Sequence, residues 1–509
     1  MSDMLSFDDY TALAKQIDLP DACHIEGSYH ACSGPALPVH NPASGELLCT
    51  INMAGDADVD LAVSKAREVF DNGDWSKAHP AVRKQVLIKL AKLMQRNRHE
   101  LAVIESLDSG KPISDCAKID IPESITTLLW HAESIDKIYD DVAPSGEDAL
   151  AVIVREAVGV VGCVLPWNFP LLMLAWKLGP ALAAGNSVLV KPAEQTPLSA
   201  LYLARLAVEA GLPRGVFQVL VGDGPTTGQA LGCHEDVDMV SFTGSTQTGK
   251  LFLSYAAQSN LKKVTLECGG KNPAIVLDDA EDLESVAQHI VTGAFWNLGQ
   301  NCSAISRLIV HEAIKDKLVE RLNAHIKDWR QGEPLNPSNR LGVPVDAAHG
   351  AKIQSYLDQA KAQKLDVLAG SLEGPICPVI LEVPQTGSLL AAEEIFGPVL
   401  SCVRVANSAE GIEMINNHRY GNGVSVFTSD GDTAREFSRQ IQVGMVGVNV
   451  PIPVPMAWHG FGGWKQSLFG DLHAFGNEGI QFYTKQKSVM QRWPDSIAKG
   501  AEFVIPHTK

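Results

Sequence analysis

The strongest constraint on this chain is an alternation. Short β-branched runs end on turns containing Gly, Pro or Asn, and helix-like stretches separate them. Residues 158–165 form one such run and 186–190 another; 216–221 and 237–242 follow. Between the second and third, 198–210 carries apolar residues at helical spacing and is stopped by Gly211-Leu212-Pro213. Upstream, 61–70 and 82–97 read as amphipathic helices. Strands spaced this widely cannot pair through tight hairpins, so the pattern predicts a parallel sheet with helical crossovers. A second alternating block runs from about 274 to 448 and includes the helix-like 314–329. With 509 residues, no internal repeat and no long linker, the expectation is two α/β units packed closely together.

Charge and cysteine usage narrow the partners. Lys and Arg number 42 against 59 Asp and Glu, a formal charge of −17. Nucleic acid and anionic membrane both demand concentrated positive charge, so neither is expected as a partner. The ten cysteines include no CxxC pair, which argues against a zinc ribbon, a thioredoxin-like centre or any metal site. They are also too sparse for a disulfide scaffold. The first sixteen residues contain Asp3, Asp8 and Asp9 and lack a basic-then-apolar leader pattern. The apolar stretches 158–167 and 178–190 are broken by Gly, Pro or Asn and fall short of a membrane span. A reducing, cytoplasmic setting is the expectation.

Five turns carry residues with chemistry to offer. In Gly299-Gln300-Asn301-Cys302, a helix opening at the cysteine would stabilise its thiolate; a buried, inert thiol is the plainer alternative. Glu267 precedes Cys268 and the Gly269-Gly270 pair at a strand end. A carboxylate partly withdrawn from water there has a raised pKa and can act as a general base, whereas a solvated loop Glu cannot. Cys268 is a rival nucleophile, but Glu267 beside it disfavours its thiolate. Asn168, between Pro166-Trp167 and Phe169-Pro170, offers a rigid amide N–H of the kind an oxyanion needs. Lys191 and Glu194 follow a strand, where a ribose diol can be bonded, and Thr243-Gly244-Ser245-Thr246 closes the next strand and opens a helix suited to a pyrophosphate. The generic GxGxxG fingerprint is absent from that turn.

The blocks PWNFP, WKLGPALAAGNSVLVKPAEQTPLSA, FTGSTQTGK, LECGGKNP, GQNCSA, EEIFGPV and FGGWKQS occur in the order and at the spacing of the aldehyde dehydrogenase superfamily, and the chain resembles it from about 26 to 493. The resemblance implies an α/β fold with three parts. A Rossmann-like NAD-binding domain takes 1–138 and 158–267, an α/β catalytic domain 268–478, and a small β oligomerisation element 139–157 and 479–509. It implies Cys302 as nucleophile, Glu267 as general base, and Asn168 with the Cys302 N–H as oxyanion donors. Cofactor contacts fall on Pro166, Trp167, Lys191, Glu194, Gly222, Gly244, Ser245, Glu394 and Phe396. Glu194 would repel a 2′-phosphate, so NAD is favoured over NADP. The partners implied are a small-molecule aldehyde and further copies of the chain, as a homodimer or homotetramer.

Within the superfamily, Asp108-Ser109-Gly110-Lys111-Pro112 and REAVGVVGCVLPWNFP resemble bacterial γ-glutamyl-aminobutyraldehyde and other aminoaldehyde dehydrogenases of polyamine breakdown. Tyr420-Gly421-Asn422-Gly423, VGVNVPIPVP and Gly470-Asp471-Leu472-His473 resemble methylmalonate-semialdehyde dehydrogenase, a branch that passes its acyl group to coenzyme A. That branch lacks a Glu at the position of Glu267 and has Arg where Asn301 stands, so hydrolysis is favoured. The coenzyme A-acylating reaction and a non-catalytic structural role are the alternatives. Met173, Trp176, Trp296, Ser303, Trp458 and His459 are the candidate aldehyde-tunnel residues. Glu105, Asp108 and Asp115 are candidates for attracting a cationic aminoaldehyde.

Overall fold

The β-branched runs line up as expected. In the computed structural model, which describes residues 4–492 apart from 148, 386, 455 and 474, the four runs between 158 and 242, joined by a fifth strand, form the parallel centre of one sheet. Their order is Phe217–Val219, Ser187–Lys191, Val160–Val164, Met239–Thr243, Lys263–Glu267. Helices cover both faces of a parallel sheet, and the strands are accordingly almost wholly buried and mostly apolar, with polar residues such as Lys191 and Glu267 at their carboxyl ends. Antiparallel strands finish the edges: Cys23–Ile25 and Ser28–His30 on one side, Leu468–Phe469 on the other. The helix Leu198–Ala210 ends where the sequence stops it, at Gly211 with φ 100°.

The order of the strands matters more than their number. From Val160–Val164 the chain steps outward twice, then returns to pair Met239–Thr243 on the opposite side. Connections therefore diverge between these two strands, and beyond their carboxyl ends a crevice is left open.

The second block forms its own sheet. Val379–Glu382, Val399–Val405, Arg307–His311, Pro273–Val276, Gly423–Phe427 and Met445–Val448 run parallel, with Val367–Gly370 antiparallel at one edge. The segment expected as a helix at 314–329 is an α-helix, Lys315–His325, continued by a tight turn at Ile326–Asp328. Lys263–Glu267 ends the parallel run of the first sheet and Pro273–Val276 opens the second. The link 268–272 thus joins the carboxyl rim of one sheet to the amino rim of the other.

A third, smaller sheet stands apart from both. Thr484–Arg492 pairs antiparallel with Ala149–Ala157 along its whole length, and Asp141–Ala143 completes the trio. Residues 1–3 of the first expected segment and 493–509 of the last lie outside the described residues.

Glu105 and Asp108 do not face a substrate path. Both are fully buried on the helix Arg98–Ser109. Glu105 accepts from the Leu171 N–H (3.1 Å) and Asp108 from the Leu198 N–H (3.1 Å). Each carboxylate thus satisfies the first turn of a crossover helix, where unpaired N–H groups and the helix dipole favour negative charge. Asp115 is half-buried beside Trp296 and does not line the cleft. The expectation that these three attract a cationic aldehyde is corrected on that ground.

Candidate active site

A cleft of about 510 Å³ opens at the divergence point. Pro166, Trp167 and Asn168 enter it from the end of Val160–Val164, and Gly244 and Ser245 from the end of Met239–Thr243. Ser245 Oγ accepts from the Thr248 N–H (3.1 Å) and caps the helix Thr246–Gln258, so a helix N-terminus faces the cleft. Glu267 lies at the end of the next strand, and its Oε2 is buried without a partner. Burial raises its pKa to about 8, opposed by the Lys177 ammonium. Lys177 is itself buried, donating to Ser241 Oγ (3.0 Å), which also receives the Tyr483 hydroxyl (3.1 Å).

Cys302 comes from the opposite wall, in the loop between the helix Leu283–Phe295 and the strand Arg307–His311. No helix opens at it. A helix ends upstream instead, and the backbone then turns left-handed at Asn297, Leu298 and Gly299. The expected dipole stabilisation of the thiolate is therefore absent, and burial pushes the Cys302 thiol up to about 12. Cys268 also lines the cleft and is also raised to about 12, chiefly by burial, with Glu267 adding to the rise. Acidity alone does not separate the two thiols, but connectivity does. The carbonyl of Gln300, two residues before Cys302, accepts from Asn168 Nδ2 (2.9 Å), which ties Cys302 to the candidate oxyanion donor.

The remaining expected cofactor residues divide into two groups. Lys191, Glu194 and Gly222 lie outside the cleft lining, along the neighbouring strand end, with Lys191 Nζ paired to Glu194 Oε1 (3.1 Å). A Cβ on Gly222 would fall 1.8 Å from Thr227 Oγ1, so the backbone there is packed with no room for a side chain. Glu394 and Phe396 do line the cleft. Glu394 accepts from the Gly270 N–H (3.0 Å), and Phe396 stands edge-on to Trp167 at 5.4 Å. Together these groups fit a dinucleotide: a carboxylate–ammonium pair suited to a diol, a capped helix N-terminus for a pyrophosphate, and a second carboxylate near the thiol. Beside these cofactor candidates, His349 and Lys352 also line the cleft, and the sequence did not point to them. His349 Nε2 lies 2.8 Å from the Phe396 carbonyl and its ring packs on Trp167 at 4.9 Å. Lys352 donates to the Glu394 carbonyl (3.4 Å). Both sit early in the helix Ala347–Ala362, where no local pattern marks them. Among the described residues, no group of three or more His, Cys, Asp or Glu is placed to hold a metal ion.

Residues 29–489 match the aldehyde dehydrogenase family. The chain belongs to that family. An aminoacetaldehyde dehydrogenase of Pseudomonas aeruginosa is 52% identical over 474 residues, covering 92% of this chain and 95% of that protein. Two solved structures superpose closely. One is a P. syringae indole-3-acetaldehyde dehydrogenase mutant in complex with NAD+ and IAA (TM-score 0.93, 39% identity, 96% of this chain and 100% of that one). The other is a γ-glutamyl-γ-aminobutyraldehyde dehydrogenase of Burkholderia cenocepacia (TM-score 0.92, 40% identity, 96% and 100%).

In this aldehyde dehydrogenase the cleft continues past Cys302 into an aromatic passage. Trp176 stacks on Phe475 (4.2 Å) and meets Phe461 edge-on (4.9 Å), while Phe169 packs on Trp296 (5.3 Å). Met173, Trp176, Trp296 and Ser303 line it as expected. Trp458 and His459 do not: both are exposed and outside the lining, to which Phe461 and Phe475 contribute instead. The carboxylate that does reach the passage is Glu123, on the exposed side of the helix Ile121–Ser134.

Proposed function

We propose that this aldehyde dehydrogenase oxidises an aminoaldehyde to the free carboxylic acid, with Cys302 as nucleophile, Glu267 as general base and Asn168 as oxyanion donor. The carrying observation is Glu267. A buried carboxylate with an unpartnered oxygen and a pKa near 8 shares the cleft with the Cys302 thiol, which suits activation of water rather than admission of a bulky thiol acceptor. Lys191, Glu194, Gly222, Gly244 and Ser245 would hold the adenosine and pyrophosphate of NAD, and Pro166, Trp167, Glu394 and Phe396 its nicotinamide half. When bound, that cofactor supplies the hydride acceptor.

Attack by the Cys302 sulfur on the carbonyl carbon makes the oxygen an alkoxide, and the thiol proton leaves towards an ionised Glu267. The second N–H of the Asn168 amide, the first being tied to Gln300 O, and the Cys302 backbone N–H receive that charge. Collapse of the adduct releases hydride and leaves a thioester on Cys302. Once Glu267 has passed the thiol proton to solvent, it takes a proton from water, the resulting hydroxide attacks the thioester carbon and displaces the sulfur as thiolate, and the acid departs as Glu267 returns that proton to Cys302.

The aromatic passage with Glu123 on its wall supports a substrate bearing a cationic amine, since ring faces and a carboxylate both attract an ammonium group. The aminoacetaldehyde dehydrogenase similarity supports the same class. The first sheet and its helices are read as the NAD-binding domain and the second as the catalytic domain, with the boundaries given above. The edge of Thr484–Arg492, unpaired among the described residues, supports association with a second copy by backbone pairing, as a homodimer or homotetramer. Among the described residues no helix is long and apolar enough to cross a membrane. Ten unpaired cysteines support a cytoplasmic setting.

The test is an aldehyde panel spanning aminoaldehydes, aliphatic aldehydes and malonate-type semialdehydes, followed by NADH absorbance with and without coenzyme A. Highest kcat/KM on an aminoaldehyde, free acid as product and indifference to coenzyme A are expected. Acyl-coenzyme A as product, with faster turnover when coenzyme A is added, would overturn the hydrolytic reading.

A further inference from the structure

The backbone between the end of the helix Leu283–Phe295 and Cys302 has an unusual conformation. Asn297 (φ 51°, ψ 37°), Leu298 (φ 57°, ψ 24°) and Gly299 (φ 69°) are consecutive left-handed residues. That region is disfavoured for any L residue with a Cβ, and Leu298 has no polar side chain with which to compensate. Gly299 is obligatory, because a Cβ there would sit 2.4 Å from the Gly397 carbonyl oxygen. Such a run persists only where its surroundings over-determine it, so the question is what holds it.

The answer lies in one carboxamide. Asn297 is buried, and its Nδ2 donates to two carbonyls, those of Asn168 (3.0 Å) and Gln300 (3.1 Å). Both partners are acceptors, so the amide must present its NH₂ to them. The Gln300 carbonyl receives Asn168 Nδ2 (2.9 Å) as well. The Asn297 amide therefore grips the backbone that carries the Asn168 side chain, and also the carbonyl on which that side chain rests. The Gln300 side chain anchors the same peptide from behind, accepting from the Val345 N–H (3.2 Å).

The two oxyanion donors come from different sheets. Asn168 belongs to the rim of the first; the Cys302 N–H belongs to the loop entering the second. We propose that Asn297 is a positioning residue that sets the distance between them, acting through Asn168 on the developing alkoxide. This rests on the assignment of Asn168 and Cys302 made above.

A double-mutant cycle tests it. Asn297→Gly removes the carboxamide while easing the left-handed backbone, so it separates the tether from the strain; Asn297→Ala, which removes the tether and keeps the strain, is measured beside it. Each is made alone and with Asn168→Ala in the full-length enzyme, and kcat, NAD affinity and thermal midpoint are recorded. Asn168→Ala alone is expected to lower kcat by about 10²–10³-fold. Asn297→Gly is expected to lower it by about 10–100-fold, the scale of an ångström-sized misplacement, with NAD affinity and midpoint close to those of the parent. Added to Asn168→Ala, it should cost less than about threefold more, because its route is already cut. Full activity of Asn297→Gly, or an undiminished loss in the Asn168→Ala background, would overturn the proposal while leaving the oxyanion assignment standing. Parental turnover by Asn168→Ala alone would overturn that assignment and the proposal with it.

Discussion

The two walls of the cleft are made in different ways. The wall holding Trp167, Gly244 and Glu267 consists of turns at the carboxyl ends of parallel strands, the place where such sheets leave a crevice. The wall holding Cys302 is an irregular loop with three left-handed residues, kept in place by hydrogen bonds to the other wall. Regular topology delivers the carboxylate proposed as general base and the first sheet's share of the proposed cofactor rim from ordinary strand-end turns. The proposed nucleophile needs a tighter approach, and the fold achieves it by cross-linking a loop that local preference would not form. A carboxylate on a rim tolerates small displacements, because water can bridge to it. A sulfur that must meet a carbon does not.

The largest effect that would test this contrast concerns the thiol. Cys302→Ala should lower steady-state NADH formation by about 10⁴-fold or more, whereas Cys268→Ala should keep most of the turnover, although both thiols are raised to about 12. Equal losses would show that the irregular wall confers nothing the rim lacks. A smaller effect is expected from Glu267→Gln, read by rapid mixing. A single burst of NADH should be followed by turnover reduced about 10²–10⁴-fold. The proposed base would work in its ionised form, and burial raises Glu267 to about 8. Steady-state turnover of the parent should therefore climb as pH rises through about 8, and the variant should lose that climb. A burst-free variant with the parental pH profile would move the base elsewhere. The smallest effect belongs to Glu123→Gln. Its KM for a cationic aminoaldehyde should rise about three- to fivefold at low salt and less at high salt, because an exposed carboxylate is screened. Its KM for an aliphatic aldehyde should not move.

The rim was largely legible in advance. The expected helix at 198–210 is found at Leu198–Ala210, and the runs expected at 186–190 and 237–242 are strands shifted by one or two residues. Hydrophobic period and Gly–Pro punctuation are local signals, and parallel strands buried on both faces obey them. The other wall was not legible. A helix opening at Cys302 was the natural reading of Gly299-Gln300-Asn301, and it fails because Asn297 is held by Asn168, 129 residues earlier in the chain. Glu105 and Asp108 were misread for the same reason: they accept from first-turn N–H groups that lie 66 and 90 residues further on. His349, Lys352 and Glu123 carried no mark, since the chain supplies them from ordinary helices.

By itself, then, the sequence determined the alternation of elements, the turns that end them, and the identity of the groups those turns present. All of these follow from neighbours along the chain. Tertiary structure decided which thiol faces which amide, which acids are buried, and how far the backbone before Cys302 may be bent from its preferred conformations. Those outcomes depend on hydrogen bonds and exclusion of water between segments remote in sequence, and such energies exist only once the two sheets have met.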